Sequence, residues 1–314
     1  MLRYLLQRLL HSLLLLIGVS VLAYLLIYLA PADPAQIIAA QRVGGTPNAD
    51  QIAWVRTAYG LDRPLWVQYG QWLGQTIRGD LGYSIRTDKP VRQELGKHLR
   101  LSVGLGGVTM VFVLLLAIPG GVVAARYNQR LGDQLVRFNA LLFVSLPDFW
   151  LGFLLILLFA VYLGWLPAFG AKSWQHFLLP IVTLGVGHAA RLSRLLRSLL
   201  LGQLQSDYLR TAHAKGLPAW RLLWGHLLPN IAVPFITVAV QQFGMLISGT
   251  IIIETLFSLP GLGNYYAQAV SYRDLPVIQA TVLLFAALIL LLNLLVDLSY
   301  PFFDPRIRYG QANR

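Results

Sequence analysis

Six long runs of mostly apolar residues constrain this chain more than any single motif does. They cover 9–30, 101–125, 136–163, 177–201, 232–256 and 277–300. About 20 apolar residues in helical form cross the hydrocarbon core of a bilayer. Inside lipid every backbone polar group needs an internal partner, so such runs are expected to be helices. The chain is 56% hydrophobic and 12% charged, over 314 residues. Soluble domains carry roughly 25% charged residues, so an ordinary soluble enzyme is excluded. Disorder is excluded as well, because it requires low hydrophobicity.

The first run competes with a secretory signal, since Ala30-Pro31-Ala32 faintly resembles a cleavage site. At about 22 residues the run exceeds the usual signal core of roughly 7–15 residues, so an uncleaved span is expected. Pro119, Pro147, Pro180 and Pro234 fall within or near the ends of the later runs. Bundled transmembrane helices tolerate proline as kinks.

A formal net charge of +12 would first suggest nucleic acid. The positions of the 25 basic residues argue for orientation instead. With the N-terminus inside, one side of six spans holds Arg3, Arg8, Arg126, Arg130, Arg137, Arg191, Arg194, Arg197, Arg210, Lys215, Arg221, Arg306, Arg308 and Arg314. The two short outside loops hold Lys172 and Arg273. The other nine lie in segment 31–100 beside six acids, and long loops translocate largely regardless of charge. Both termini are therefore expected in the cytoplasm. The expected organisation is an N-terminal span over 1–30, a periplasmic segment over 31–100, a five-helix core over 101–303 and a tail over 304–314.

Segment 31–100 reads as a small helical piece. Asn48 or Asp50 caps one helix ending at Gly60, Pro64 opens a second that runs to about Arg78, and Pro90 opens a third at the interface. Trp54, Trp66 and Trp72 suit packing on one another or on the membrane surface. Two readings stay open: a cap over the bundle, or a docking surface for an external partner.

The connection 202–231 carries more information. Ser206 or Asp207 caps a helix ending at Gly216, a favourable residue just past a helix C-terminus, and Pro218 opens a second short helix that stops near Pro229. A helix–Gly–helix elbow results, with Trp220 and Trp224 four residues apart. It suits either an amphipathic hairpin on lipid or a protein-docking elbow.

Polar groups inside spans are costly and face the bundle or a water-filled path. In the fifth run Thr237, Gln241, Gly244, Ser248 and Thr255 share one stripe at about 100° per residue. The stripe lines a path or makes interhelical hydrogen bonds. Glu254 lies to its side, Asp148 follows Pro147, and His188 is mid-span. Each suits packing or capping as well as contact with a solute. Cysteine is absent and no HxxxH pair occurs, so no metal site is expected. Without GxxxxGK[ST], GxSxG or HExxH, neither ATP binding nor catalysis by this chain is indicated.

Taken in order, these residues resemble the inner-membrane permeases of the dipeptide/oligopeptide/nickel class of bacterial ABC importers. The matches are Met1-Leu2-Arg3-Tyr4, Ala32-Asp33-Pro34-Ala35 (usually Gly-Asp-Pro-Ala), Leu61-Asp62-Arg63-Pro64-Leu65 and Gly79-Asp80-Leu81-Gly82-Tyr83-Ser84. Ser145-Leu146-Pro147-Asp148-Phe149-Trp150, Gly164-Trp165-Leu166-Pro167, Pro260-Gly261-Leu262-Gly263, Arg273-Asp274-Leu275-Pro276 and Asp304-Pro305-Arg306 continue the set. The family's ATPase-coupling loop reads EAA, three residues, Gly, nine residues, Ile-x-Leu-Pro. Here Arg210-Thr211-Ala212, Lys215-Gly216 and His226-Leu227-Leu228-Pro229 take those places. Arg210 replaces the glutamate, as in the peptide/nickel subclass, which leaves open the ion pair that holds the ATPase.

The resemblance implies an all-α membrane protein of six transmembrane helices with the type I ABC importer permease fold and a cytoplasmic coupling-helix elbow. It implies a second similar permease, a heterodimer being favoured, two cytoplasmic ATPases that hold ATP and Mg²⁺, and an external solute-binding protein. This chain itself would bind no cofactor. The translocation-path candidates are Thr237, Gln241, Gly244, Ser248, Asp148 and Glu254, and the substrate would be a peptide, glutathione, nickel or a metal chelate. The contrasting reading is a stand-alone secondary transporter or channel. It would need coupling residues or an internal repeat, and neither is visible.

Overall fold

The computed structural model describes residues 2–29, 33–204, 216, 218–222, 225 and 227–303. Among them the regular structure is helical, and the one bridge, Tyr83 to Pro90, is isolated. The α-helices are α1 (Leu2–Leu29), α2 (Pro34–Val43), α3 (Ala49–Ala58), α4 (Leu65–Ile77), α5 (Val91–Arg126), α6 (Leu131–Ser145), α7 (Asp148–Leu155), α8 (Leu178–Leu204), α9 (Ala219–Leu222), α10 (Leu228–Leu256), α11 (Leu262–Ser271) and α12 (Leu275–Phe303). A π-helical stretch, Ile156–Tyr162, continues α7, and a 3-10 turn, Trp174–Phe177, leads into α8.

Four helices are long and apolar enough to cross a membrane, over Leu6–Leu25, Val91–Arg126, Leu228–Leu256 and Leu275–Leu295. The expected third span is not one straight helix. Leu131–Ser145 and Asp148–Tyr162 meet at 100°, and counting that pair as one broken span makes five. The break follows from Pro147: the residue before it, Leu146, is extended (φ −84°, ψ 129°), as the proline ring requires. The expected fourth span is α8, 27 residues and so about 40 Å long. Arg191, Arg194 and Arg197 in its second half keep it below the apolarity of the other four.

The chain divides into two compact bodies, residues 1–101 with 260–291 and residues 102–259 with 292–314. In the first body α2 packs on α3 and α1 on α4. Asn48 forms a full capping box with Gln51 at the start of α3, so it, not Asp50, is the cap. Pro64 sits one residue before α4 and acts as its N-cap. A helix opens directly after Pro90, as expected, and it runs into the second span without a break: α5 begins at Val91 and continues for 36 residues. Val91, Leu95, Leu262, Ala269, Val277 and Ala280 form a buried core there. His98 stacks on Tyr265 with ring centroids 4.4 Å apart, and its Nδ1 donates to the Pro260 carbonyl at 2.7 Å. Burial, with Asp274 and Glu94 nearby, pushes the Tyr265 phenol up to about 12.

In the second body α8 is the central element, packed on α6, α7 and α10. Leu192, Leu196 and Leu200 recur every four residues and are buried. Close approach is bought by glycine: a Cβ on Gly121 would come 2.8 Å from Leu196, and one on Gly152 2.6 Å from Leu256. Small residues serve this purpose wherever helices pack without a hydrophobic driving force from water.

Candidate functional site

The connection expected to form the elbow follows α8, and described residues at its two ends share an apolar seat of Ala125, Leu196, Leu200, Leu222, Leu227 and Ile231, all buried. The seat joins the C-terminal ends of α5 and α8 to the short α9 and the start of α10. Gly216 has φ +73°, a left-handed conformation that side chains resist, and it is exposed. Pro218 precedes α9 and its carbonyl accepts from the Arg221 and Leu222 amides at 3.0 and 3.2 Å. Leu228 and Pro229 open α10, with Pro229 in the first turn, where its missing N–H costs nothing. Leu228 packs against the seat. Arg210, Thr211, Ala212, Lys215 and His226 lie outside the described residues, as do Ser206 and Asp207.

Next to the seat's helices is an ion pair that motif reading missed. Asp133, fully buried, takes Arg197 Nε on Oδ1 at 2.6 Å and Nη2 on Oδ2 at 2.7 Å. The Gln129 amide adds a third bond to Oδ2 at 2.9 Å, from a residue at φ +63°. Arg197 also reaches Asn128 Oδ1 at 2.9 Å. The α5–α6 turn is thereby tied to α8. The available signal was Asp133 itself, an acid amid Arg126, Arg130 and Arg137.

The stripe on α10 faces away from the second body's own core. Gln241, Ser248 and Thr255 are exposed, and Thr237 and Gly244 half-buried. Its hydroxyls are bonded back onto their own helix: Thr237 to Val233 O at 2.8 Å, Ser248 to Gly244 O at 3.1 Å and Thr255 to Ile251 O at 2.8 Å. These bonds satisfy the hydroxyl donors without a partner from another helix. The interhelical bonds come from the neighbouring face. Gln242, not Gln241, bonds His188 on α8 through Oε1 and Nδ1. Glu254 is fully buried and accepts from Ser102 at 2.5 Å. Asp148 is half-buried, with Oδ1 3.6 Å from the place a Cβ on Gly187 would occupy. It therefore sits beside the Gly187–His188 step, and His188 and Arg191 are both within electrostatic reach. Among the described residues no three His, Asp or Glu side chains gather as a metal centre requires.

In the first body Trp72 packs on Tyr24 and Tyr69, at 5.4 and 6.1 Å between centroids. Trp54 and Trp66 are 58% and 77% exposed, so the three indoles do not form one cluster. Asp274 gathers the 84–87 loop: Ser84 Oγ donates at 2.5 Å and the Ile85 amide at 3.1 Å.

Comparison with known proteins decides what this assembly of parts belongs to. Residues 117–309 match the family described as binding-protein-dependent transport system inner membrane component, and residues 1–105 match its N-terminal companion. The chain belongs to this family. It is a multi-pass inner-membrane permease component of a binding-protein-dependent transport system. The glutathione transport system permease protein GsiC of Escherichia coli K12 is 40% identical over 309 residues, covering 98% of this chain and 100% of GsiC. GsiC of Salmonella typhimurium LT2 is 41% identical over the same lengths. An inward-facing structure of the MetNI methionine ABC transporter aligns with a TM-score of 0.58 at 18% identity, covering 69% of this chain and 99% of the other. That likeness supports the type I importer permease fold.

Proposed function

We propose that this permease imports short peptides of the glutathione type, driven by ATP that partner ATPases bind with Mg²⁺ and hydrolyse. The observation that carries the reading is the 40% identity to GsiC across 98% of this chain. Both termini and the 202–231 elbow face the cytoplasm, and segment 31–100 faces the periplasm, as the basic residues suggest. A second, similar permease completes the translocation path, and an external binding protein delivers the solute. The path is lined on this side by the α10 stripe of Thr237, Gln241, Gly244 and Ser248, with Asp148 and Glu254 as supports.

The elbow is the contact through which the ATPases act. A left-handed Gly216 between helices and an apolar seat at the ends of α8 and α10 support a stiff lever. ATP-driven closure of the ATPases would push the elbow, and α8 and α10 would carry the movement into the spans. Alternating access then follows as a shift between two packings of the same helices.

The test is co-reconstitution of the permease pair, the ATPases and the binding protein in liposomes. ATP-dependent uptake of labelled glutathione, competed by di- and tripeptides but not by Ni²⁺, is expected. Uptake without any ATPase, or uptake of Ni²⁺ alone, would overturn the reading.

A further inference from the structure

A cavity of about 510 Å³ opens within the first body. Small-molecule sites run about 300–1,000 Å³. Its apolar wall includes Tyr24 of α1, Trp72 of α4 and Pro276 of α12. Tyr24 is held in place, since its hydroxyl donates to Gln68 Oε1 at 3.0 Å. The Gln68 amide nitrogen is itself spent on the Arg63 and Leu61 carbonyls, so Gln68 is a strut of the wall.

The decisive group is Gln279. It lines the cavity, is 4% exposed, and its Nε2 has no hydrogen-bond partner among the described residues. A buried amide donor left unpaired costs roughly 1–3 kcal/mol, and native structures rarely keep one without reason. An occupant that accepts a hydrogen bond supplies the reason.

The rim states what kind of occupant. Arg42 lines it and is oriented by a 2.7 Å bond from Nη2 to the Tyr59 hydroxyl and by the Trp54 ring, 5.9 Å away. Gln71 and Gln75 add exposed amides, and Asp80 and Asp88 add carboxylates. A cation, two anions and several amides in one cavity complement a molecule that carries a carboxylate, an ammonium and peptide groups. An anionic lipid headgroup would meet Asp80 and Asp88 as repulsion. A bare divalent cation would meet Arg42 and a buried N–H donor.

We propose that this cavity is a binding site for a short zwitterionic peptide, with its carboxylate at Arg42, its ammonium at Asp80 or Asp88, and a backbone carbonyl on Gln279 Nε2. The site rests on the import reading above and deepens it: the permease holds the peptide in its outer segment before the spans take it.

The experiment uses the full permease pair with its ATPases in nanodiscs, without binding protein, and a tripeptide carrying a diazirine side chain. After irradiation, mass spectrometry maps the adducts. Labelling within 71–88 and 275–279 is expected, competed by reduced glutathione. It should fall about tenfold in Gln279→Leu and in Arg42→Gln, the latter on an exposed side chain whose loss spares the fold. Adducts that are not competed, that fall elsewhere, or that persist in both variants would overturn the site. ATP-driven peptide uptake in liposomes without cavity labelling would defeat the site and leave the import reading standing. Competed, variant-sensitive labelling without peptide uptake would do the reverse.

Discussion

Arg197 and Asp133 meet through two parallel hydrogen bonds, with the carboxylate fully buried and the guanidinium side chain 21% exposed. The pair is therefore asymmetric. Removing the arginine strands a buried anion, whereas neutralising the acid leaves a cation that can still reach water. Arg197→Met should cost about 3–5 kcal/mol of stability, the range for breaking a buried pair. Asp133→Asn, which keeps the shape and an acceptor oxygen, should cost less. Melting of the purified protein in detergent, followed by fluorescence, checks the order. Equal losses would mean that the pair is as solvated as a surface one.

Gly216 makes a second prediction. Its φ of +73° costs a residue with a side chain about 1–2 kcal/mol, and proline cannot adopt it at all. Gly216→Val should slow ATP-dependent uptake, and Gly216→Pro should abolish it, while both proteins reach the membrane in normal amounts. Uptake assays beside immunoblots of membrane fractions measure this. Normal uptake by the proline variant would remove the elbow from the coupling step.

Two adjacent glutamines should behave in opposite ways. Gln242 is bonded to His188, whereas Gln241 is exposed on the stripe. Gln242→Leu should lower the melting temperature, because it strands the imidazole at a cost of about 1–3 kcal/mol. Gln241→Leu should leave melting within about 0.5 kcal/mol of the parent, as surface changes do, and alter the concentration dependence of uptake. A melting loss in Gln241→Leu with unchanged uptake would assign the stripe to packing between permeases.

Asp274 holds Ser84 and Ile85 together on one carboxylate. Asp274→Ala should leave the Ser84 hydroxyl hydrogen and the Ile85 amide without their acceptor, each loss worth about 1–3 kcal/mol. Hydrogen exchange at the 84–87 amides should accelerate at least tenfold, while α10 amides keep their protection. Unchanged exchange would mean that the loop is held by other contacts.

Much of the fold could be read in advance because its causes are local. Apolar runs of span length, a helix cap at 48 or 50, the glycine at 216 and the proline at 218 each act within a few residues. Pro147 was visible too, but a kink and a 100° break look alike in sequence. The difference depends on what packs around the extended Leu146. The unbroken α5 also escaped local reading, since Pro90 can open a short helix or a long one.

The sequence by itself determined that this is a helical membrane permease of its family and which residues could be polar within spans. Only the tertiary structure decided which of those residues are occupied. Spacing along α10 places Gln241 and Gln242 side by side, and nothing local says that α8 will take the second. Asp133 and Arg197 lie 64 residues apart, and Ser102 and Glu254 lie 152 apart. Such pairings follow from which helix faces come into contact, a result of summed packing over whole surfaces. A helix period records the face; the neighbour that covers it is chosen by the rest of the chain.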